Sequence, residues 1–568
     1  MSSAFHDDGS QLRGHGSTVT RVAAPREQYN EDDAEHRQLR RVRGPLPWLL
    51  FAVCVLEMGE RFVYIGLSGP LQNYIQIPYP SSNGVPGALG RGQSTGAALG
   101  NFFKFWAYLC TVFGAIVADQ YLGKFKTIIC SVPIYVIGMV ILVATSTPAG
   151  ITSGAAMGGL IAMMILVGLG TGGLKSCIAP LSAEQNTSFK SYIKMTKSGE
   201  RVVVDAQLTN ASIFMWYYWA ANVGSLASLI TTSVEKAHSF WVAYLIPLVV
   251  FLMTFGVFMF FSRRLTTAPA QGSAIIDAFK TTAIAIRERG FENAKPSALA
   301  ARRRLEKYAF ARANDRYTDS YVSEIRSGIG ACKYFVLFPV YFVVWIQAFS
   351  NLVAQAGSMK LGGTPNDLMQ SLETIFMLAF IPLLDIIIYP FLRKQWGIHL
   401  NPILRIFLGF IMAALAMTYC CVLQHFIYAS PEENSIDVWL QTPAWIFMAL
   451  SEIWVVVTGL EVAFLKAPES LRAFISSMFW LTIAFGAAVG IGLSPVSKDP
   501  YMVWLYGGIA VAAFVSGVLF YLWFRNDIAN GIVPAGEVSA LTGVEVEKVK
   551  GIEAGKVSVG GDKPPLAA

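Results

Sequence analysis

Long apolar stretches separated by short polar connections set the outline of this chain. Runs of about 20 apolar residues, enough to cross a hydrocarbon layer as helix, recur near 48–71, 98–118, 127–147, 154–174, 211–232 and 240–262. A second set follows near 334–356, 369–392, 401–427, 441–465, 473–494 and 501–525, which predicts twelve membrane-spanning helices. None of these segments shows the sustained period-2 alternation of a membrane β-barrel. The expected fold class is therefore an all-α membrane protein.

The connections carry an orientation signal. Lys and Arg gather before the first span (Arg37, Arg40, Arg41, Arg43), after the second (Lys124, Lys126) and after the fourth (Lys190, Lys194, Lys197, Arg201). They recur after the sixth, the eighth (Arg393, Lys394), the tenth (Lys466, Arg472) and the twelfth (Arg525). The alternate loops lack them: Thr145–Ser153 has none, and Ser430–Leu440 carries Glu432, Glu433 and Asp437. Basic loops stay on the cytoplasmic side, so both ends of the chain are expected there. This asymmetry accounts for the net charge of +7, which is not read as a nucleic-acid footprint.

Composition agrees, with 54% hydrophobic and only 14% charged residues, against about 25% charged in soluble domains. Residues 1–44 are polar and predict a disordered cytoplasmic tail without a signal-peptide core. Six spans over 45–262 are separated from six over 333–525 by a basic connection, 263–332, and 526–568 form a second tail. The connection contains SALAARRRLEKYAFARA, with Arg302, Arg303 and Arg304 together, a helical stretch expected to lie on the membrane surface or dock a protein. Seven cysteines without C-x-x-C spacing and six scattered histidines indicate neither a disulfide framework nor a metal site. No nucleophile–base constellation suggests an enzyme.

The candidate chemistry starts in the first span, WLLFAVCVLEMGERFVYIGLSGPL, which holds Glu57, Glu60 and Arg61. A charge at the bilayer centre costs roughly 2.5–3.5 kcal/mol, and helical spacing places all three on one face. That face should line a wet cavity or a partner helix; the alternative is an ion cluster that only fixes helix packing. The fourth span ends GLGTGGLKSC, a small-residue run that admits close helix approach before Lys175, which could instead snorkel to the interface. The fifth carries MWYYWAANVG around Asn222, the second holds Lys104 and Tyr108, and the tenth holds Glu452 and Glu461. Glu452 reads as cavity-facing, while Glu461 can equally be a solvated or structural carboxylate. In the loop after the second span, Asp119 is expected to cap and lock helices two and three.

Taken together these motifs resemble the proton-dependent oligopeptide transporter family, and within it the fungal di- and tripeptide permeases. The E-x-x-E-R-F motif is Glu57, Glu60, Arg61 and Phe62, and the loop signature runs from Gly114 through Asp119, Gly123 and Lys124 to Thr127. The G-T-G-G-x-K run is Gly170 to Lys175, and the fifth-span pattern is Tyr217, Tyr218, Ala221, Asn222, Gly224, Ser225 and Leu226. The tenth-span signature is Glu452 with Gly459 to Pro468. The resemblance implies a major facilitator fold, two six-helix bundles rocking about a mid-membrane site. It also implies a proton-responsive network of Glu57, Glu60, Arg61 and Lys175, with the peptide carboxylate at Arg61 and Lys175. The peptide's amino group would lie near Asn222 and Glu452, and Tyr64 and Tyr108 would line the pocket.

Several positions depart from the family pattern. Ile65 follows Tyr64 where a second tyrosine is usual, and Ser68 replaces an arginine whose acidic partner aligns with Ile346. Closure on that face is then expected to use other contacts, such as Gln347 and Trp345. Asn101 stands where animal relatives carry histidine, and Phe479 holds the usual place of a tryptophan, with Trp480 following. The expected function is proton-coupled import of di- and tripeptides at the plasma membrane, by a chain working as a monomer with the proton as coupling ion and no other cofactor. Two alternatives stand beside it: a same-fold transporter of another small solute such as nitrate, and a receptor that binds peptide without moving it.

Overall fold

The computed structural model describes residues 27–28, 39, 41–80, 85–185, 191–196, 199–267, 272–303, 305–308, 310–311, 314–396, 400–432, 434–459, 462 and 471–529. Glu461 and the motif around it to Pro468, Arg304, Lys190, Lys197 and most of both expected tails lie outside the described residues. The chain divides into two compact units, one of residues to Pro45 with Ser188–Thr209, the other of Leu46–Thr187 with Asn210 onward.

The first unit corrects the expectation of an all-α chain with an unstructured start. Strands β1 (Glu27–Gln28), β2 (Arg41–Arg43), β3 (Tyr192–Met195) and β4 (Arg201–Asp205) form a sheet in the order β1-β3-β4-β2. The pair β3–β4 is antiparallel with Ile193 opposite Val203, and β2 runs parallel to β4. Three consecutive valines, Val202 to Val204, supply the β-branched side chains that suit a pleated, buried strand, and all three are buried.

The second unit is helical. Its helices are α1 (Leu49–Gln76), α2 (Gly92–Val117), α3 (Lys124–Thr145), α4 (Ala155–Glu184), α5 (Ala206–Ser225, whose first residues belong to the first unit), α6 (Ala227–Ala237) and α7 (Phe240–Phe261). After the connection, with α8 (Ala274–Arg287) and α9 (Asp319–Ala331), come α10 (Phe338–Gln347), α11 (Ser371–Pro382), α12 (Pro402–Ala429), α13 (Thr442–Glu452), α14 (Arg472–Leu493) and α15 (Met502–Ala529). Among the described residues nine helical segments are long and apolar enough to cross a membrane. The charged α1, the divided α5–α6 and the segment starting with α11 occupy the three other expected positions.

Two apolar cores hold this unit together. One joins Val53, Leu67, Tyr135, Met163 and Phe251 of the first group of helices. The other joins Phe338, Phe342, Phe410, Trp445 and Phe479 of the second, with Tyr108 of α2 reaching into it. The connection has a small core of its own around Leu299, Tyr308, Tyr317 and Val322. Its basic stretch is not one continuous helix: the helix Pro296–Ala301 stops, and Arg303 turns left-handed at φ 51°. A side chain rarely adopts that conformation inside a helix, and the segment folds back on the connection's own core.

Candidate functional site

The charged face of α1 is aimed by close helix approaches. At Gly224 of α5 an added Cβ would lie 2.4 Å from the Met58 carbonyl oxygen and 2.9 Å from Arg61 Cβ. At Gly172 of α4 it would lie 2.5 Å from the Cys110 backbone. Only glycine permits backbones that close, and Lys175, three residues beyond Gly172, comes within electrostatic reach of Glu57, Glu60 and Arg61.

Within that convergence, Arg61 Nε donates to Glu57 Oε1 at 3.0 Å. Glu57 and Glu60 are 0% exposed, whereas the Arg61 side chain keeps 23% of its surface accessible. Tyr217 lies within hydrogen-bonding reach of Glu57, and Tyr108 of Arg61. Both oxygens of Glu60 and the Lys175 ammonium are buried with no hydrogen-bond partner among the described residues. Lys175 Nζ lies 3.9 Å from the Tyr64 ring centroid and 4.9 Å from that of Tyr108. The aromatic faces give the ammonium an electrostatic seat without a fixed hydrogen bond.

A second group lies on the other helices. Trp345 Nε1 donates to Glu452 Oε2 at 2.9 Å. Glu373 of α11, 2% exposed, is within hydrogen-bonding reach of both Glu452 and Trp345. Lys104 Nζ sits 4.9 Å from the Phe349 ring centroid and 5.9 Å from Trp345's. Across the interface, Tyr108 stacks on Trp480 at 6.0 Å, and the Tyr218 hydroxyl donates to Met377 Sδ at 3.6 Å. The helix widens to π-type turns at Ala348–Leu352 and Ile453–Val457, directly after Gln347 and Glu452, an irregularity common at functional sites.

The structure thus brings together Glu57, Glu60, Arg61, Lys175, Tyr64 and Tyr108, with Glu452 within electrostatic reach of Arg61 and Tyr108 from the second group. The Asn222 amide donates to the Tyr218 carbonyl at 2.9 Å, along its own helix. Glu373 was missed by sequence reasoning. Its signal was a single carboxylate inside the apolar run SLETIFMLAF, the same sign that singled out Glu452. Phe479 is fully buried among Phe335, Phe338 and Phe342, so it packs the core while Trp480 meets Tyr108.

Two further expectations change. Asp119 does not cap the third helix: α3 starts after Gly123, at φ 76°, with no side-chain cap. Asp119 lies in the last turn of the preceding helix, and the link between α3 and α4 is the Lys124–Glu184 ion pair. The linker-distal closure uses neither Trp345 nor Gln347. Trp345 is engaged by Glu452, and Gln347 holds Asn351 and the Gly490 carbonyl within its own bundle. Closure comes instead from Asn73 with Asn366, Ser228 with Ser371, Gln370 with the Gly69 carbonyl, and Lys236 with the Gly363 carbonyl.

This architecture is that of a multi-pass integral membrane protein with charged side chains buried between two groups of helices. The family model for PTR2, described as the POT family, matches residues 125–511. The peptide transporter PTR_C of Candidozyma auris is 39% identical over 539 residues, covering 92% of each chain. The peptide transporter PTR2 of Saccharomyces cerevisiae is 39% identical over 505 residues, 87% of this chain and 82% of that one. The chain belongs to the POT family. Its fold is shared with a crystal structure of an auto-inhibited POT family peptide transporter, at TM-score 0.66 and 20% identity over 84% of this chain and 97% of the other. The POT family transporter PepTSo follows at TM-score 0.65 and 19% identity, over 85% and 99%.

Proposed function

We propose that this chain is a proton-coupled symporter that imports di- and tripeptides across the plasma membrane by alternating access. In this reading twelve spans form the major facilitator arrangement, with bundles over 45–262 and 333–525 and both ends cytoplasmic. The Lys and Arg bias of the loops supports that orientation, which makes the linker-distal face the outer one. The chain acts as a monomer, and the proton is its only coupling ligand.

One observation carries the proposal: a buried carboxylate and a buried ammonium, Glu60 and Lys175, lie within electrostatic reach of each other with no hydrogen-bond partner among the described residues. An uncompensated buried charge is costly, so such a pair is poised to exchange its burden. A proton on Glu60 cancels its charge and frees Lys175 and Arg61 for the peptide carboxylate. The peptide ammonium takes Glu452, and Glu373 beside it deepens the negative end. Opposite charges at the two ends suit a zwitterion of limited length, and binding of proton and peptide become thermodynamically linked. The named peptide transporters among the relatives support the substrate class.

The test is uptake of radiolabelled dialanine into proteoliposomes with an inward acid gradient. Concentrative uptake, competed by dipeptides and tripeptides but not by nitrate or free amino acids, is the expected result. Competition by nitrate alone would move the chain to another solute, and binding without flux would make it a receptor.

A further inference from the structure

At the linker-distal end, two acids meet across the line between the bundles. Glu235 stands at the end of α6, just beyond the 211–232 span, and Asp367 in the turn Asn366–Gln370 that leads into α11. They are 2% and 1% exposed and within hydrogen-bonding reach of each other. The amide groups of Asn73 and Asn366 clasp each other there, at 2.8 and 2.9 Å, and Asn73 Nδ2 also donates to Glu235 Oε1 at 3.3 Å. Among the described residues no side-chain donor reaches Glu235 Oε2 or the Asp367 carboxylate oxygens, and the backbone N–H groups of Asp367 and Leu368 lie close to the latter.

Two independent features point to a ligand as small as a proton. The hydroxyl of Tyr244, from α7, is fully buried without a partner and is close enough to feel both acids. Asn73 and Asn366 also line a cavity of about 360 Å³, whose walls include Gln93, Gln355 and Asp499 beside Ile77, Val85 and Met502. The cavity reaches the amide clasp, whereas Glu235 and Asp367 are not among its lining residues.

We propose that Glu235 and Asp367 form a second proton-binding site, which takes up one shared proton from the outer solution when the bundles close on that side. The inference rests on the orientation given under the proposed function. Two ionised carboxylates in contact repel, and one proton converts that repulsion into a hydrogen bond between them. The site therefore favours closure in acid and opening in alkali.

The sign follows from the titration of the pair. Burial first, then the neighbouring Asp367 charge, pushes Glu235 well above the ordinary carboxylate range. Burial pushes Asp367 up to about 6, against the pull of Glu235's hydrogen bond and the Lys236 charge. Tyr244, a neutral phenol, is the titratable group facing the pair from α7, and Lys236 is the charged group beside the pair on α6. In the open state both acids are hydrated and titrate near the usual value of about 4. The closed state is then fully favoured below about pH 4, and that advantage is lost as pH rises through the raised closed-state values.

The experiment measures the distance between nitroxide labels at Ser153 and Glu432, both exposed on the outer loops, by pulsed electron resonance on the full chain in nanodiscs. The accessible Cys130, Cys332 and Cys421 are replaced by serine. In this background the open-to-closed ratio should rise with pH, by up to about tenfold per unit above about pH 6, where closure takes up one proton, and more steeply below it. The double variant Glu235→Gln, Asp367→Asn should stay closed and flat with pH, although Glu57 and Glu60 are intact. Equal pH dependence in both proteins, or none in the parent, overturns the proposal. Should the double variant not fold, Asp367→Asn alone must lower the midpoint by about one pH unit or more; an unchanged midpoint is contrary. The distances need no cargo, so a chain that opens in this way yet moves no dialanine would refute the transport reading and leave this one standing.

Discussion

The two charged groups of the pocket are built on different principles. Glu57, Glu60 and Arg61 come from one turn and a half of one helix, and Lys175 joins them at the glycine-lined contact of α4. The opposite group takes Glu452, Glu373, Lys104 and Trp345 from four helices. In the first, Glu60 and Lys175 have no fixed hydrogen bond. In the second, the Trp345 indole holds Glu452 at 2.9 Å. Mobile charge balance suits a group that accepts and releases a proton, whereas a clamped carboxylate suits a group that receives a ligand's ammonium. The pocket separates these two tasks between its walls.

That comparison can be broken by removing one member at a time. Lys175→Ala strands Glu60 in a buried site, and breaking a buried charge set costs about 3–5 kcal/mol. Initial uptake of dialanine should fall by more than about a hundredfold at matched protein amounts; a loss under tenfold would mean the ammonium is a bystander. Next, Glu452→Gln removes a charge-assisted contact of about 1.5–3 kcal/mol. Peptides with a free amino end should bind at least roughly tenfold more weakly in competition assays, while N-acetylated peptides lose little. An equal loss for both would take the ammonium away from Glu452.

Trp345→Phe keeps the ring against Phe349 and Lys104 but deletes the indole donor. A neutral hydrogen bond is worth about 0.5–1.5 kcal/mol, so KM should rise by roughly two- to tenfold with kcat largely kept. A fall in kcat alone would show that Glu452 does not depend on that clamp. The smallest effect is expected for Tyr64→Phe. Its hydroxyl has no partner, and the ring beneath Lys175 remains, so uptake should stay within about twofold. A large loss would assign the hydroxyl a direct contact with cargo or proton.

The contrast also explains what the sequence reveals. Three charges within five residues on an apolar helix are legible because helical periodicity alone puts them on one face. Lys175 is legible through the small-residue run that precedes it. Glu373 is less so: it is a single acid near the start of a span, and its meaning depends on Glu452 and Trp345, which lie far away in sequence. The closing contacts at the linker-distal end were misread for the same reason. Asn73, Glu235, Asn366 and Asp367 are ordinary polar residues at helix ends until packing joins them. The small sheet escaped notice because its valine run sits among polar residues, with partner strands of only three or four residues. The phenylalanine and tryptophan at 479 and 480 could be told apart only by where helix α14 turns them.

The most direct test of the account is the steady-state accumulation of dialanine in proteoliposomes carrying Glu60→Gln, beside the parent protein. One elementary charge across 100 mV is worth about 2.3 kcal/mol, so a single coupled proton sustains roughly fiftyfold accumulation in the parent. The account predicts that Glu60→Gln still exchanges peptide across the membrane but levels off near equal concentrations inside and out. Undiminished, gradient-driven accumulation by that variant would contradict it.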